Sequence, residues 1–112
     1  MRLIATFIAL LLTSTVVDAA GDTRLIDANR RHDRDAVASL IKARVDVNAA
    51  QPDGSTPLFH AVHENDLPIV DLLIRARAKA GAADDTGVTP LYIACTNQSA
   101  LIVQKLLAAG AN

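Results

Sequence analysis

The sequence has no tryptophan, one tyrosine and two phenylalanines among its 112 residues. One of these rings, Phe7, lies in the N-terminal segment, which leaves Phe59 and Tyr92 for the rest of the chain. A core with so few rings must be filled by Ala, Leu, Ile and Val. That speaks against a β-sandwich, which draws on aromatic and β-branched side chains, and for closely packed helices. Cysteine is as scarce. A single Cys95 excludes an internal disulfide, so packing alone must hold the domain, with Cys95 itself expected as a small apolar core residue. A dominant charge is also missing: 11 Lys and Arg stand against 12 Asp and Glu, for a formal net charge of −1. There is no global basic field to attract nucleic acid or an acidic membrane surface, and the length allows one domain.

The first residues differ from the rest. Met1 and Arg2 give a positive start, Leu3 to Val17 is an apolar run broken only by Thr and Ser, and Val17-Asp18-Ala19 places modest residues where a signal peptidase reads. This layout predicts a signal peptide over 1–19, cleaved after Ala19 or, as the alternative, after Ala20. The run is shorter than the roughly 20 residues of a membrane span. The expected product is exported, periplasmic or secreted, with no stable membrane insertion after cleavage. An uncleaved anchor and a buried first helix are the competing readings of the same segment.

Downstream, the chain repeats itself. Gly54-Ser55-Thr56-Pro57-Leu58 recurs as Gly87-Val88-Thr89-Pro90-Leu91, 33 residues later. Ala61, Ile69, Val70 and Leu73 meet Ala94, Ile102, Val103 and Leu106 in the same register. A more worn copy stands one period upstream, where Thr23, Leu25, Ala28, Val37 and Leu40 precede Thr56, Leu58, Ala61, Val70 and Leu73. Three units are expected, at about 20–49, 50–82 and 83–112. In each, Thr-Pro opens a helix, since Thr caps free amides and Pro suits the first helical position. A polar break follows, then a second apolar helix. Such short helices bury their faces only by stacking on neighbouring units.

The period, the two Thr-Pro-Leu motifs, Val45-Asp46-Val47-Asn48-Ala49 and the closing Leu106-Leu107-Ala108-Ala109-Gly110 resemble the ankyrin-repeat family. The resemblance implies an all-α solenoid of helix–turn–helix units with short β-turn loops. It further implies a non-enzymatic, cofactor-free module, monomeric, that binds another protein on its concave side. Carried over residue by residue, the turn tips are Pro52, Asp53 and Ser55, then Asp85, Thr86 and Val88. The first-helix positions are Arg30 and Arg31, His63 and Glu64, and Thr96 and Asn97. Three features depart from the family pattern. Phe59 and Tyr92 replace the His that commonly follows Thr-Pro-Leu, Arg44 and Arg77 replace the Gly after the second helix, and Arg24 stands where Pro is expected.

Polar residues at the two ends read as caps on the outer faces: Asn29, Arg24 and Asp27 at one end, Lys105 in place of Leu72 at the other. Asn112 falls where another unit would begin, so a fragment of a longer array is an alternative. His60, His63 and Glu64 form the one cluster that hints at metal chemistry. Its spacing differs from the helical zinc motif, in which two His at i and i+4 enclose a Glu, and the plainer reading is a helix surface. Arg30, Arg31 and Arg34 make a local basic patch offset by Asp33 and Asp35.

Overall fold

A computed structural model describes residues 22–112; the expected signal peptide lies outside the described residues. Six helices follow in order: α1 (Arg24–Arg30), α2 (Arg34–Lys42), α3 (Pro57–His63), α4 (Leu67–Arg75), α5 (Pro90–Thr96) and α6 (Ala100–Ala108). No strand is present among the described residues. Each odd-numbered helix packs on the even-numbered one that follows. The pairs then stack, with α1 on α3 on α5 in one layer and α2 on α4 on α6 in the other.

Local chemistry sets both ends of each helix. Thr56 and Thr89 are extended and accept hydrogen bonds from the amides of Phe59 and Tyr92, with Pro at the first helical position. Asp33 and Asp66 cap α2 and α4 through the amides of Ala36 and Ile69. Each such cap contributes about 1 kcal/mol. Unit one lacks Pro, and Thr23 makes no side-chain cap. Asp22 takes over by accepting from the Arg24 amide at 3.1 Å, while its carboxylate pairs with the Arg24 guanidinium at 2.8 Å. These bonds hold the Asp22 carboxyl below the usual carboxylate range, the guanidinium bond most of all.

Every helix stops at a left-handed residue. His32 (φ 54°), Asn65 (57°) and Gln98 (58°) follow the first helices, and Arg44 (65°), Arg77 (69°) and Gly110 (100°) follow the second. The amides just beyond then reach back to the free carbonyls, as in Val45 to Leu40 at 3.2 Å and Ala78 to Leu73 at 3.0 Å. The position therefore does require φ > 0, and each Arg there costs about 1 kcal/mol relative to Gly.

The core runs continuously through the stack. Leu58, Ile69, Leu73 and Leu106 are fully buried, each contributing about 2 kcal/mol by leaving water. Ala28, Ala61 and Ala94 are completely buried at the repeated small position, which lets the first helices approach closely.

Of the end caps expected from sequence, Asn29 and Lys105 do not face outward, whereas Arg24 and Asp27 are exposed on unit one. Asn29 is 1% exposed and donates through Nδ2 to the Pro57 carbonyl at 2.7 Å, so it lies between units one and two. Lys105 points back to α4, where Nζ sits 2.8 Å from Asp71 Oδ1. The slot shared by Asn29, Val62 and Cys95 faces the next unit. It is buried in units one and two and open in unit three, so Cys95 is exposed and not a core residue. Tyr92 (64% exposed), Leu101 (60%) and Leu107 (50%) are also exposed on this third unit.

Candidate functional site

Two turns precede α3 and α5 and project as fingers. In the first, the Gln51 amide donates to the Ser55 carbonyl and the Gly54 amide to the Gln51 carbonyl, at 2.9 and 2.8 Å. In the second, Asp84 pairs with Val88, and the Gly87 amide donates to the Asp84 carbonyl, at 2.9 and 3.0 Å. Gly54 (φ 84°) and Gly87 (φ 87°) supply the left-handed residue each turn needs. One backbone bond, from the Asp85 amide to the Asp53 carbonyl, ties finger to finger.

Carboxylates hold each finger in shape. Asp53 Oδ1 accepts from the Ser55 hydroxyl at 2.5 Å and from the Ser55 amide at 3.0 Å. Asp84 Oδ1 accepts from the Thr86 hydroxyl and from the amides of Thr86 and Val88. The hydroxyl bonds foremost, then the amides, hold both carboxyls below their usual range. Behind the first finger, His60 Nε2 lies 3.1 Å from Ser55 Oγ and 3.0 Å from Gln51 Oε1. Burial, then the nearby charge of Arg30, pushes the His60 imidazole below its usual value.

The residues expected on the binding face divide accordingly. Pro52, Asp53, Asp85 and Thr86 are exposed on the fingers, and Arg30, Arg31, His63, Glu64, Thr96 and Asn97 are exposed at the ends of the first helices. Val88 is half-buried. Ser55 is a correction: it is 2% exposed, and its hydroxyl is engaged by Asp53, Gln51 and His60, so it shapes the finger and offers a partner nothing. Asn97 has a second role, donating through Nδ2 to the carbonyls of Val62 and His63 in the preceding unit.

Two supports escaped sequence reasoning. His60 takes up a finger-bracing position, although it read as a surface residue; its place directly behind Thr-Pro-Leu-Phe was the available signal. The other is a bond between units. His32 Nδ1 meets Asp66 Oδ2 at 2.8 Å, and one period on the Ser99 hydroxyl donates to Asn65. In both, the residue that ends a first helix bonds the cap residue of the next unit's second helix.

His60 and His63 do not converge, since His60 turns to the finger and His63 is exposed. Among the described residues no group of three or more His, Cys, Asp or Glu side chains is placed to hold a metal ion. What the face can offer is hydrogen bonding and charge: arginines on unit one, a mixed His63–Glu64 pair on unit two, and carboxylates at the finger tips. No helix among the described residues is long and apolar enough to cross a membrane.

A family model for ankyrin repeats matches residues 7–112 in three copies. The match begins inside the apolar segment expected to be a signal peptide. No curated protein matches the chain.

Proposed function

The chain belongs to the ankyrin-repeat family, whose repeats are protein–protein interaction modules, and from that premise we propose that it is an exported module binding one partner protein through its fingers and first-helix ends. The observation that carries this reading is a contrast between positions. Packing residues repeat: Leu25, Leu58 and Leu91, then Ala28, Ala61 and Ala94. The exposed face does not. Arg30, His63 and Thr96 share one slot, Arg31, Glu64 and Asn97 the next, and Asp53 and Thr86 a third. Exposed variation on a constant scaffold is how a repeat protein acquires one specific surface. The hydrogen-bonded fingers hold that surface before binding, which lowers the ordering cost of recognition.

The export half of the proposal rests on Met1-Arg2, the apolar run and Val17-Asp18-Ala19. N-terminal sequencing of the protein produced in a secreting host tests it: a start at Ala20 or Gly21 is expected, and a retained Met1 would overturn it. The binding half is tested by affinity capture from an extracytoplasmic extract. The wild type is compared with a variant altered to alanine at Arg30, Arg31, His63, Glu64 and Asp85. Loss of one defined band is expected. Equal capture by both proteins would remove the binding role of this face.

A further inference from the structure

We propose that the groove beside the C-terminal ends of α2 and α4 is a second binding site, which takes an acidic peptide segment carrying interspersed aliphatic side chains. The groove has a volume of about 630 Å³, and its walls carry Lys42, Arg44, Arg75 and Arg77 against one acid, Asp46. Four of the protein's 11 Lys and Arg are thus gathered in one place on a chain whose net charge is −1. All four are exposed, and none forms an ion pair among the described residues, where Arg24 pairs with Asp22 and Lys105 with Asp71.

A plainer explanation is that cations at helix C-termini offset the helix dipole. It predicts the same residues in all three units. Instead, Lys42 and Arg75 give way to Ala108 in unit three, and Arg44 and Arg77 give way to Gly110. The one base in the last turn of α6, Lys105, is turned away to Asp71 in α4. Arg44 and Arg77 are also held at φ 65° and 69°, where a side chain is strained and where the third unit uses Gly. The fold is therefore served by Gly after the second helix of unit three, and at this position the strain is kept in units one and two, where the groove lies. Retained backbone strain of this kind concentrates at ligand-contacting positions.

The lining decides what fits. Guanidinium forks pair with carboxylates through two parallel hydrogen bonds. Between the cations, half-buried Ile41, Val45 and Val47 give an aliphatic floor. A free phosphate uses the cations and leaves that floor wet, whereas a peptide alternating carboxylates with leucine-like side chains uses both. The groove shares no residue with the fingers and first-helix ends, so the site stands or falls independently of that face.

The test uses the full chain, a fluorescein-labelled peptide of glutamates with interspersed leucines, and fluorescence anisotropy. The variant R44G/R77G removes two forks and places Gly where Gly is favoured, so it folds. Expected is saturable binding to the wild type, about tenfold weaker in R44G/R77G and weaker again at raised salt. A concave-face variant, R30A/R31A/H63A/E64A, should bind the peptide as the wild type does. Three results would overturn the proposal: equal affinity of wild type and R44G/R77G, loss of binding in the concave-face variant, or displacement of the peptide by equimolar inorganic phosphate or phosphatidylglycerol vesicles.

Discussion

The amide of Asp85 donates to the carbonyl of Asp53 at 2.9 Å, and that bond brings the second finger against the back of Gly54. A Cβ at residue 54 would lie 2.6 Å from Asp85 Oδ1 and 2.9 Å from the Asp85 amide nitrogen. Gly87 has nearly the same φ, yet a Cβ there meets nothing within 4 Å. The two glycines thus separate backbone strain from crowding. Gly87→Ala should cost about 1 kcal/mol, the strain alone. Gly54→Ala should cost about 2–3 kcal/mol, because the finger must also move off its neighbour. Urea denaturation of both variants gives the comparison; equal losses would show that the fingers part freely.

Arg44 and Arg77 give a prediction of opposite sign. At φ 65° and 69° a glycine is unstrained, so Arg44→Gly and Arg77→Gly should each stabilise the protein by about 1 kcal/mol. For a domain of this size each should raise the melting temperature by roughly 4–8 °C. Gly110→Arg, at the third equivalent position, should lower it. Thermal melts of the three single variants check the set, and a fall in melting temperature for Arg44→Gly would mean that its side chain stabilises the fold more than its backbone strains it.

Asn29 satisfies one end of its amide and not the other. Nδ2 donates to the Pro57 carbonyl, while Oδ1 is buried with no hydrogen-bond partner among the described residues. The equivalent slot in unit two holds Val62, fully buried. Asn29→Val should therefore be neutral or stabilising by up to about 1 kcal/mol, since it removes the orphaned acceptor. Asn29→Asp places a second oxygen against a carbonyl in a dry site and should cost at least about 2 kcal/mol at neutral pH. Chemical denaturation resolves the pair; a destabilised Asn29→Val would show that the Pro57 bond outweighs the unmet oxygen.

Much of the architecture is legible in the sequence because it is periodic. The 33-residue spacing, the Thr-Pro helix starts and the repeated Ala and Leu positions fix which residues stack. The strained ends of the second helices are legible too, since Arg44 and Arg77 align with Gly110. What sequence misassigns is direction. A polar residue in a terminal unit looks like an outer cap, yet Asn29 occupies a slot that faces the next unit and Lys105 turns toward the preceding one. A linear pattern gives the phase of a residue on its helix but not which neighbour that phase meets. The proposed binding face is less legible for a related reason. Ser55 lies at a finger position, and only the placement of Asp53, Gln51 and His60 around it shows that its hydroxyl is already engaged.

Cys95 shows the same directional rule from the other end of the stack. It occupies the slot of buried Asn29 and Val62, and it is exposed. A maleimide or disulfide reagent should label one thiol per chain in the native protein, without denaturant and at a rate close to that of the unfolded chain. Mass spectrometry after brief labelling counts the adduct. Protection that is lost only on unfolding would return Cys95 to the core.

His60 links the finger to pH. Burial, and then the charge of Arg30, lower its pKa in the folded protein below the ordinary imidazole value of about 6.5. Between those two values the unfolded chain binds the proton more readily than the folded one, so stability rises with pH across that window. The contribution is fully present above about pH 6.5 and is lost as pH falls through the folded value. His60→Gln keeps a polar side chain near Ser55 and Gln51 and removes the titration. The wild type should therefore lose more stability than His60→Gln between about pH 7.5 and 5.5. Below about pH 4 both proteins should lose stability together, because Asp22, Asp53 and Asp84 are held below their usual range and their contribution disappears once they are protonated. Urea midpoints across this range, taken as the difference between the two proteins, isolate His60 from the other two histidines. Parallel curves from pH 7.5 to 5.5 would show that the half-buried imidazole accepts its proton at no cost to the finger.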